Sequence, residues 1–237
     1  MKNLAGKTVL LSGATSGIGR ALALQLARAE ASLALCGRSK EKLAEVVHCC
    51  RDSGAAAIFA QAFDATDNDA VRQFVREATA TLGSPAILIN NAGANPGKAP
   101  VATQHIAELD YMWALNCRAP WVFTQACHPL MVAAGGGHVV NILSTTLRFA
   151  NETVAGYTAT KAACEAWTNI YRKEARRENI RVTAVYPGGT DTPFRTLERP
   201  DYMRPETVAE AVFQTLLLPA DATVHEIVLR PAVEENF

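Results

Sequence analysis

The sequence predicts one doubly wound α/β domain spanning residues 1–237, a Rossmann-type parallel sheet with helices on both faces. Three observations carry that expectation. Short apolar runs alternate with helix-forming stretches along the whole chain, without repeats, low-complexity tracts or linkers. The first apolar run, residues 8–12, is continuous and bounded by Gly6 and Gly13, as a strand buried on both faces would be. It leads through a glycine-rich turn, Ser12-Gly-Ala-Thr-Ser-Gly-Ile-Gly19, directly into a strong helical stretch at 21–28.

That turn is the first element with chemistry in it. Gly13, Gly17 and Gly19 let backbone approach an anion, and the N–H groups and dipole of the following helix attract it. Thr15, Ser16 and Ile18 lie between the glycines. The spacing is neither G-x-G-x-x-G nor a phosphate loop ending in GK[ST]. A second strand, 32–36, ends at Gly37-Arg38-Ser39, and Ser39 is placed to cap a helix over 40–52. In a dinucleotide fold this strand tip meets the adenosine ribose. A carboxylate there would accept the 2′-hydroxyl, whereas an arginine accommodates a 2′-phosphate, and here the residue is Arg38.

The third strand is predicted at 55–62, and Thr66 with Asp69 has the spacing of a capping box opening a helix over 70–81. Asp64, before that cap, is either a turn aspartate or an adenine neighbour. A fourth strand, 86–90, runs into Asn90-Asn91-Ala92-Gly93, then an irregular loop. A long helical stretch begins at His105 and passes Pro120 to Met131, so a kink or break is expected at Arg118–Ala119. Asn116, one turn earlier, could bond freed carbonyls, hold a water, or both. Strands follow at 138–143, 180–186 and 224–229, with a flap at about 189–204 and a helix at 206–218 opened by Pro205.

Composition narrows the function classes. The 237 residues are 49% hydrophobic and 19% charged, with 23 basic and 23 acidic side chains. A formal net charge of +0 offers no basic face for nucleic acid. No apolar run reaches membrane length and the amino-terminal stretch has no signal-peptide character, so a cytoplasmic location is expected. The six cysteines lack CxxC or zinc-ligand spacing and read as free thiols; the histidines suggest no metal. Trp113, Trp121 and Trp167 read as core or interface residues.

The stretch from Ser144 to Lys161 holds the reactive groups. Tyr157 and Lys161 stand four apart in a helical segment and so share a face. A phenol titrates near pH ~10, and an adjacent ammonium favours its ionised form, making it a useful proton donor and acceptor near neutrality. Ser144 ends the fifth strand, where its hydroxyl can project toward that phenol.

Taken together, Ser12-Gly-x-x-x-Gly17-Ile-Gly19, Asn90-Asn-Ala-Gly93, Asn116, Ser144, Tyr157-x-x-x-Lys161 and Pro187-Gly188 resemble the short-chain dehydrogenase/reductase family over nearly the whole chain. The resemblance implies a compact, NADP(H)-preferring oxidoreductase, with NAD(H) also usable, that interconverts a carbonyl compound and an alcohol. Tyr157 would exchange the proton, Lys161 would tune it and bind the nicotinamide ribose, Ser144 would hold the carbonyl oxygen, and Asn116 would anchor a relay water. Cofactor contacts are implied at Gly13, Thr15, Ser16, Gly17, Ile18, Gly19, Arg38, Asp64, Asn91, Ala92, Gly93, Tyr157, Lys161, Pro187, Gly188, Thr190 and Thr192. A homotetramer, or a homodimer, is implied through the helices around 113–131 and 167–177. Ser12 replaces the family's usual threonine, keeping the hydroxyl, and Ala86 replaces a common aspartate. The chain lacks the Asp-Gly-Gly tail of many 3-oxoacyl-carrier-protein reductases, the alternative enzyme reading. A catalytically silent dinucleotide sensor is the alternative outside catalysis. The loop after Gly93, residues 145–154 and the flap should line the substrate pocket, with Phe194 and Leu197 as its apolar contacts.

Overall fold

The computed structural model describes residues 4–194 and 198–234. Its strands are β1 (Thr8–Ser12), β2 (Ser32–Gly37), β3 (Ala57–Ala62), β4 (Pro85–Asn90), β5 (Gly137–Ile142), β6 (Ile180–Pro187) and β7 (Glu226–Leu229). The helices are α1 (Gly17–Arg28), α2 (Lys40–Asp52), α3 (Asn68–Leu82), α4 (Ile106–Trp113), α5 (Ala119–Ala133), α6 (Ala155–Ala175) and α7 (Pro205–Leu216). All strand pairs are parallel, in the order β3-β2-β1-β4-β5-β6-β7. The sheet grows outward from β1 to β3, then restarts on the other side of β1 with β4. Such a reversal opens a crevice at the carboxyl ends of the strands, where ligands bind in folds of this kind.

Why both faces are covered is visible in the strands' alternation. Val9, Leu11, Leu33, Leu35, Ile87 and Ile89 pack into one core with α1, α2 and α7 residues such as Leu22, Leu43 and Val212. Leu10, Ala34, Cys36, Leu88 and Val139 point the other way, into a core with Phe74 of α3 and Phe123 of α5. A strand hidden on both sides can be apolar at every position, which is the pattern read from the sequence.

Ser39 does cap α2, accepting from the Lys42 N–H at 3.2 Å. The capping box at Thr66 and Asp69 does not form. Asp67 caps α3 instead, accepting from the Asp69 and Ala70 N–H groups, while the Thr66 N–H donates to Asp64 Oδ1. β3 starts two residues later than expected because the Ala55 N–H turns back to Cys50 O and completes the end of α2. β7 likewise starts at Glu226 rather than 224, although His225 O already accepts from the Ala184 N–H. The break before Pro120 takes a definite form: residues Ala114–Arg118 make a π-helical turn between α4 and α5. Its wider spacing brings the chain to Pro120 at the start of a new helix, where a missing N–H is tolerated.

Beneath the crevice runs a buried polar seam. Asn90 Nδ2 donates to Asn141 Oδ1 (2.8 Å) and Thr124 Oγ1 (3.2 Å), and Asn141 Nδ2 donates to Thr168 Oγ1 (2.8 Å). These bonds tie β4 and β5 to α5 and α6. Further down β5, His138 Nε2 lies 2.8 Å from Thr183 Oγ1, whose proton goes to Val224 O, so His138 must be the donor. Its proton therefore sits on Nε2, and Nδ1 is buried without a hydrogen-bond partner. Burial, reinforced by the Arg181 charge, lowers the His138 pKa to about 3. Above pH ~6.5 the imidazole is neutral in both states; below it the unfolded chain takes up a proton that the folded chain refuses. Stability should therefore fall by about 1.4 kcal/mol per pH unit as pH drops from about 6.5 toward 3 from this residue alone. Denaturant titrations across that range should show a flatter pH dependence in His138→Gln; an unchanged dependence would assign the acid sensitivity to other groups.

Candidate active site

The glycine turn is locked to the start of the next loop. Ser12 Oγ accepts from the N–H groups of Asn91 and Ala92, each at 3.1 Å, and Asn91 Nδ2 donates to Ser12 O (3.1 Å) and Gly13 O (3.0 Å). The hydroxyl kept by the threonine-to-serine departure is thus the clip between β1 and β4. Gly13 has φ +68°, and a Cβ there would stand 2.8 Å from Ala92 Cα. A Cβ on Gly19 would stand 2.0 Å from Gly13 O, so α1 can lie this close to the turn only without a side chain. Ser16, in extended conformation ahead of α1, makes no side-chain cap bond, and the first turn of α1 holds no acidic residue. Ile18 packs on the core below.

The second strand tip and the flap both reach this turn. A Cβ on Gly37 would meet Thr15 Cγ2 at 2.5 Å, which sets Arg38 at the rim. Exposed Arg38 donates to the Tyr111 hydroxyl of α4 at 2.7 Å, across the crevice. Thr192 lies over Gly17, where a Cβ would be 3.0 Å from its methyl. Asp64 is exposed and holds its own turn, with Oδ1 accepting from the Thr66 N–H at 2.9 Å. Pro187 ends β6; Thr145 Oγ1 donates to Pro187 O, and Thr190 Oγ1 to Gly188 O.

Asn116, Ser144, Tyr157 and Lys161 are all buried. Lys161 Nζ donates to Ile142 O at 2.7 Å and lies 5.9 Å from the Tyr157 ring centroid, on the same face of α6. Burial holds the ammonium below its ordinary pKa, opposed by the nearby Cys164 and Cys117 thiols. Those thiols are themselves raised mainly by burial, Cys164 to about 12, so near neutrality they supply no anion. A would-be Cβ at Gly93 stands 3.4 Å from Lys161 Nζ and 3.2 Å from Asn116 Oδ1, which joins the fourth-strand loop to this group.

Ser144 does two jobs. It caps the short 3-10 turn Thr145–Leu147, accepting from the Thr146 N–H (3.2 Å) and Thr146 Oγ1 (3.1 Å). A hydroxyl that accepts twice still has its own proton to donate. Asn116 reaches from the turn before α5 to the fourth-strand loop. Its Oδ1 accepts from the Ala94 N–H, and Nδ2 donates to Ala94 O and Thr160 Oγ1. The side-chain amide therefore pairs with both backbone groups of Ala94, as a strand residue would, and fixes the loop after Gly93.

One participant, Tyr111, carried no sequence signal, whereas Phe194 was expected at the pocket. Tyr111 meets Arg38 across 73 positions. Phe194 stacks at 5.7 Å on Tyr157, the tilted contact expected of a pocket wall; its predicted companion Leu197 lies outside the described residues. Trp113 and Trp121 are 48% and 51% exposed, so their core reading does not hold, while Trp167 packs edge-on against Trp121 at 5.5 Å. All six cysteines are free. Among the described residues no cluster of His, Cys, Asp and Glu could hold a metal, and no helix is long and apolar enough to cross a membrane.

The architecture has close counterparts among known proteins. The model of the short chain dehydrogenase family matches residues 7–203. An uncharacterized oxidoreductase of Staphylococcus aureus (strain USA300) is 31% identical over 234 residues, 98% of this chain and 100% of that one. An alcohol dehydrogenase from the archaeon Thermococcus sibiricus, complexed with 5-hydroxy-NADP, superposes with a TM-score of 0.90 at 26% identity over 98% of this chain and 99% of that one. A metagenomic short-chain oxidoreductase in complex with NADP gives 0.87 at 29% identity, again over 98% and 99%. The chain belongs to the short-chain dehydrogenase/reductase family and is an NAD(P)-dependent oxidoreductase.

Proposed function

We propose that this protein is an NADP(H)-preferring reductase or dehydrogenase that interconverts a small or medium carbonyl compound and its alcohol, with Tyr157 as general acid and base. The observation that carries the reading is the buried pair of Tyr157 and Lys161, the ammonium 5.9 Å from the phenol ring and bonded to Ile142 O, two residues before the Ser144 hydroxyl. Acid, charge partner and oxyanion donor are the groups such chemistry requires. The proteins complexed with NADP or 5-hydroxy-NADP among its structural neighbours support the cofactor class.

The residues present fit a nicotinamide dinucleotide. Backbone stands where side chains would block the turn at Gly13 and Gly19, and the uncapped start of α1 offers its N–H groups to a pyrophosphate. Gly13, Thr15, Ser16, Gly17, Ile18 and Gly19 would hold that group, Arg38 the 2′-phosphate and Asp64 the adenine side. Asn91, Ala92 and Gly93 with Lys161 and Tyr157 would hold the second ribose, and Pro187, Gly188, Thr190 and Thr192 the carboxamide. The bound cofactor supplies or receives the hydride at the carbonyl carbon. In reduction, Ser144 donates a hydrogen bond to the carbonyl oxygen, and Tyr157 hands that oxygen its proton. Lys161 favours the phenolate that remains. In oxidation the same groups run in reverse.

The preference for NADP(H) rests on Arg38, a charged donor at the tip of β2 with no carboxylate beside it in the Gly37-Arg38-Ser39 sequence. Arg38→Ala should lower the NADPH-over-NADH ratio of kcat/KM by roughly 10- to 100-fold, the value of a charge-assisted hydrogen bond. A ratio that does not move would reassign the phosphate site. The half-exposed Trp113 and Trp121, with Ile170 at 59% exposure, support a homotetramer or homodimer built on residues 113–131 and 167–177, from the end of α4 through α5 and on α6, which light scattering would test. The free thiols suit a reducing, cytoplasmic compartment.

A further inference from the structure

The segment after β7 folds back onto the base of the flap. The Glu234 N–H donates to Pro231 O, closing a turn that brings the Glu234 carboxylate over Gly188 and Gly189. Glu234 Oε1 accepts from the Gly189 N–H at 2.8 Å, and Oε2 accepts from Arg230 Nε at 3.0 Å. A Cβ on Gly188 would stand 2.6 Å from Glu234 Oε2, so the carboxylate lies directly on bare backbone. The ion pair is largely sheltered, with side-chain exposures of 10% for Arg230 and 22% for Glu234. Arg230 also places its guanidinium carbon 4.1 Å from the centre of the Phe149 ring. Phe149 belongs to the loop of residues 145–154, which the sequence leads one to expect beside the substrate.

Gly189 is where the flap begins and where its two ends are joined. Its carbonyl accepts from the Met203 N–H, the Asp191 N–H donates to Met203 O, and Asp191 Oδ1 accepts from the Arg199 N–H. The C=O of Gly189 thus closes the flap on itself, while its N–H is tied to Glu234. Thr190 and Thr192 follow at once, and Thr192 rests on Gly17 of the glycine turn.

We propose that Glu234, oriented by Arg230, is a positioning residue for the nicotinamide end of the cofactor. It fixes the backbone of residues 188–192, and through Arg230 and Phe149 it couples that backbone to the substrate wall. The inference rests on the reading that this backbone receives the carboxamide, and its test separates the two. In the cofactor-free protein, the Gly189 amide should exchange its hydrogen at least about 10-fold faster in Glu234→Ala than in the wild type, since a charge-assisted bond is lost. An unchanged exchange rate overturns the proposal whatever the cofactor does. By calorimetry, Glu234→Ala should weaken NADP⁺ about 10-fold while 2′,5′-ADP, which lacks the nicotinamide half, stays within about twofold. Glu234→Gln, which keeps an acceptor for Gly189 but removes the charge from Arg230, should show a smaller loss and serves if the alanine variant does not fold. Equal weakening of both ligands would mean a merely structural role. Wild-type protein binding NADP⁺ no more tightly than 2′,5′-ADP would overturn the placement of the nicotinamide itself.

Discussion

Tyr157→Phe is expected to lower kcat by about 10²- to 10⁴-fold, the contribution of a positioned general acid. The dissociation constant for NADP⁺ should change by no more than a few fold. The substitution removes one oxygen and leaves the ring that packs on Phe194 and faces Lys161, so the fold has little reason to respond. Steady-state turnover of a ketone panel, alongside calorimetric titration of the cofactor, measures both halves of the expectation. Full activity in the variant would show that the phenol carries no proton and that the oxygen is protonated from elsewhere. The supporting groups make that outcome hard to arrange: the Ser144 hydroxyl keeps a proton to donate, yet losing it would leave an alkoxide, a far stronger base than a phenolate.

Gly19→Ala is expected to be the other severe change, and here two effects oppose each other. Alanine is preferred to glycine in a helix by about 1 kcal/mol, which taken alone would stabilise α1. Against it stands a methyl 2.0 Å from Gly13 O and 2.5 Å from Asn91 Nδ2, both far inside van der Waals contact. Neither is the free end of a flexible chain: one is backbone, and the other is held by two hydrogen bonds to the same turn. Over-packing of this kind costs about 1–3 kcal/mol, so the net sign is destabilising. Relief requires α1 to move away from β1, which also opens the anion site. Thermal unfolding should shift downward, and affinity for NADP⁺ and 2′,5′-ADP should fall together, in contrast to the expectation for Glu234→Ala. A variant that keeps both stability and affinity would mean that the turn relaxes freely and does not set the site.

Sequence legibility followed the range of the interactions. The strands were readable because burial on both faces leaves continuous apolar runs, as in Val9, Leu10 and Leu11, and because glycines punctuate them. The cap of α2 was readable because Ser39 has no competitor beside it. At α3, Asp64, Thr66, Asp67 and Asp69 are all competent cappers, and spacing alone chose the wrong one. Asn116 was identified by position, but which of its partners it holds depends on where the loop after Gly93 lies, and no local pattern encodes that. The same holds for Arg38 with Tyr111 and for Glu234 with Gly189, pairs separated by 73 and 45 positions. Each is an ordinary surface-type residue until the sheet brings its partner near.

The π-helical turn at Ala114–Arg118 has a consequence for how the protein tolerates insertions and deletions. Such a turn holds about one residue more than an α-helical turn would, and each residue advances a helix by about 100°. It therefore absorbs the extra residue without changing the phase: α4 keeps Met112 buried, α5 turns Val122 and Phe123 into the core, and Asn116 sits at the junction facing Ala94. Deleting a single residue here would let the two helices fuse into one regular α-helix. Because the residue removed is the one the wide turn absorbs, the side chains of α5 would keep nearly their present direction relative to α4. The disturbance would fall on the turn itself, where Asn116 would lose its bonds to Ala94 and Thr160, so a deletion here would release the loop after Gly93 while Phe123 stays in the core.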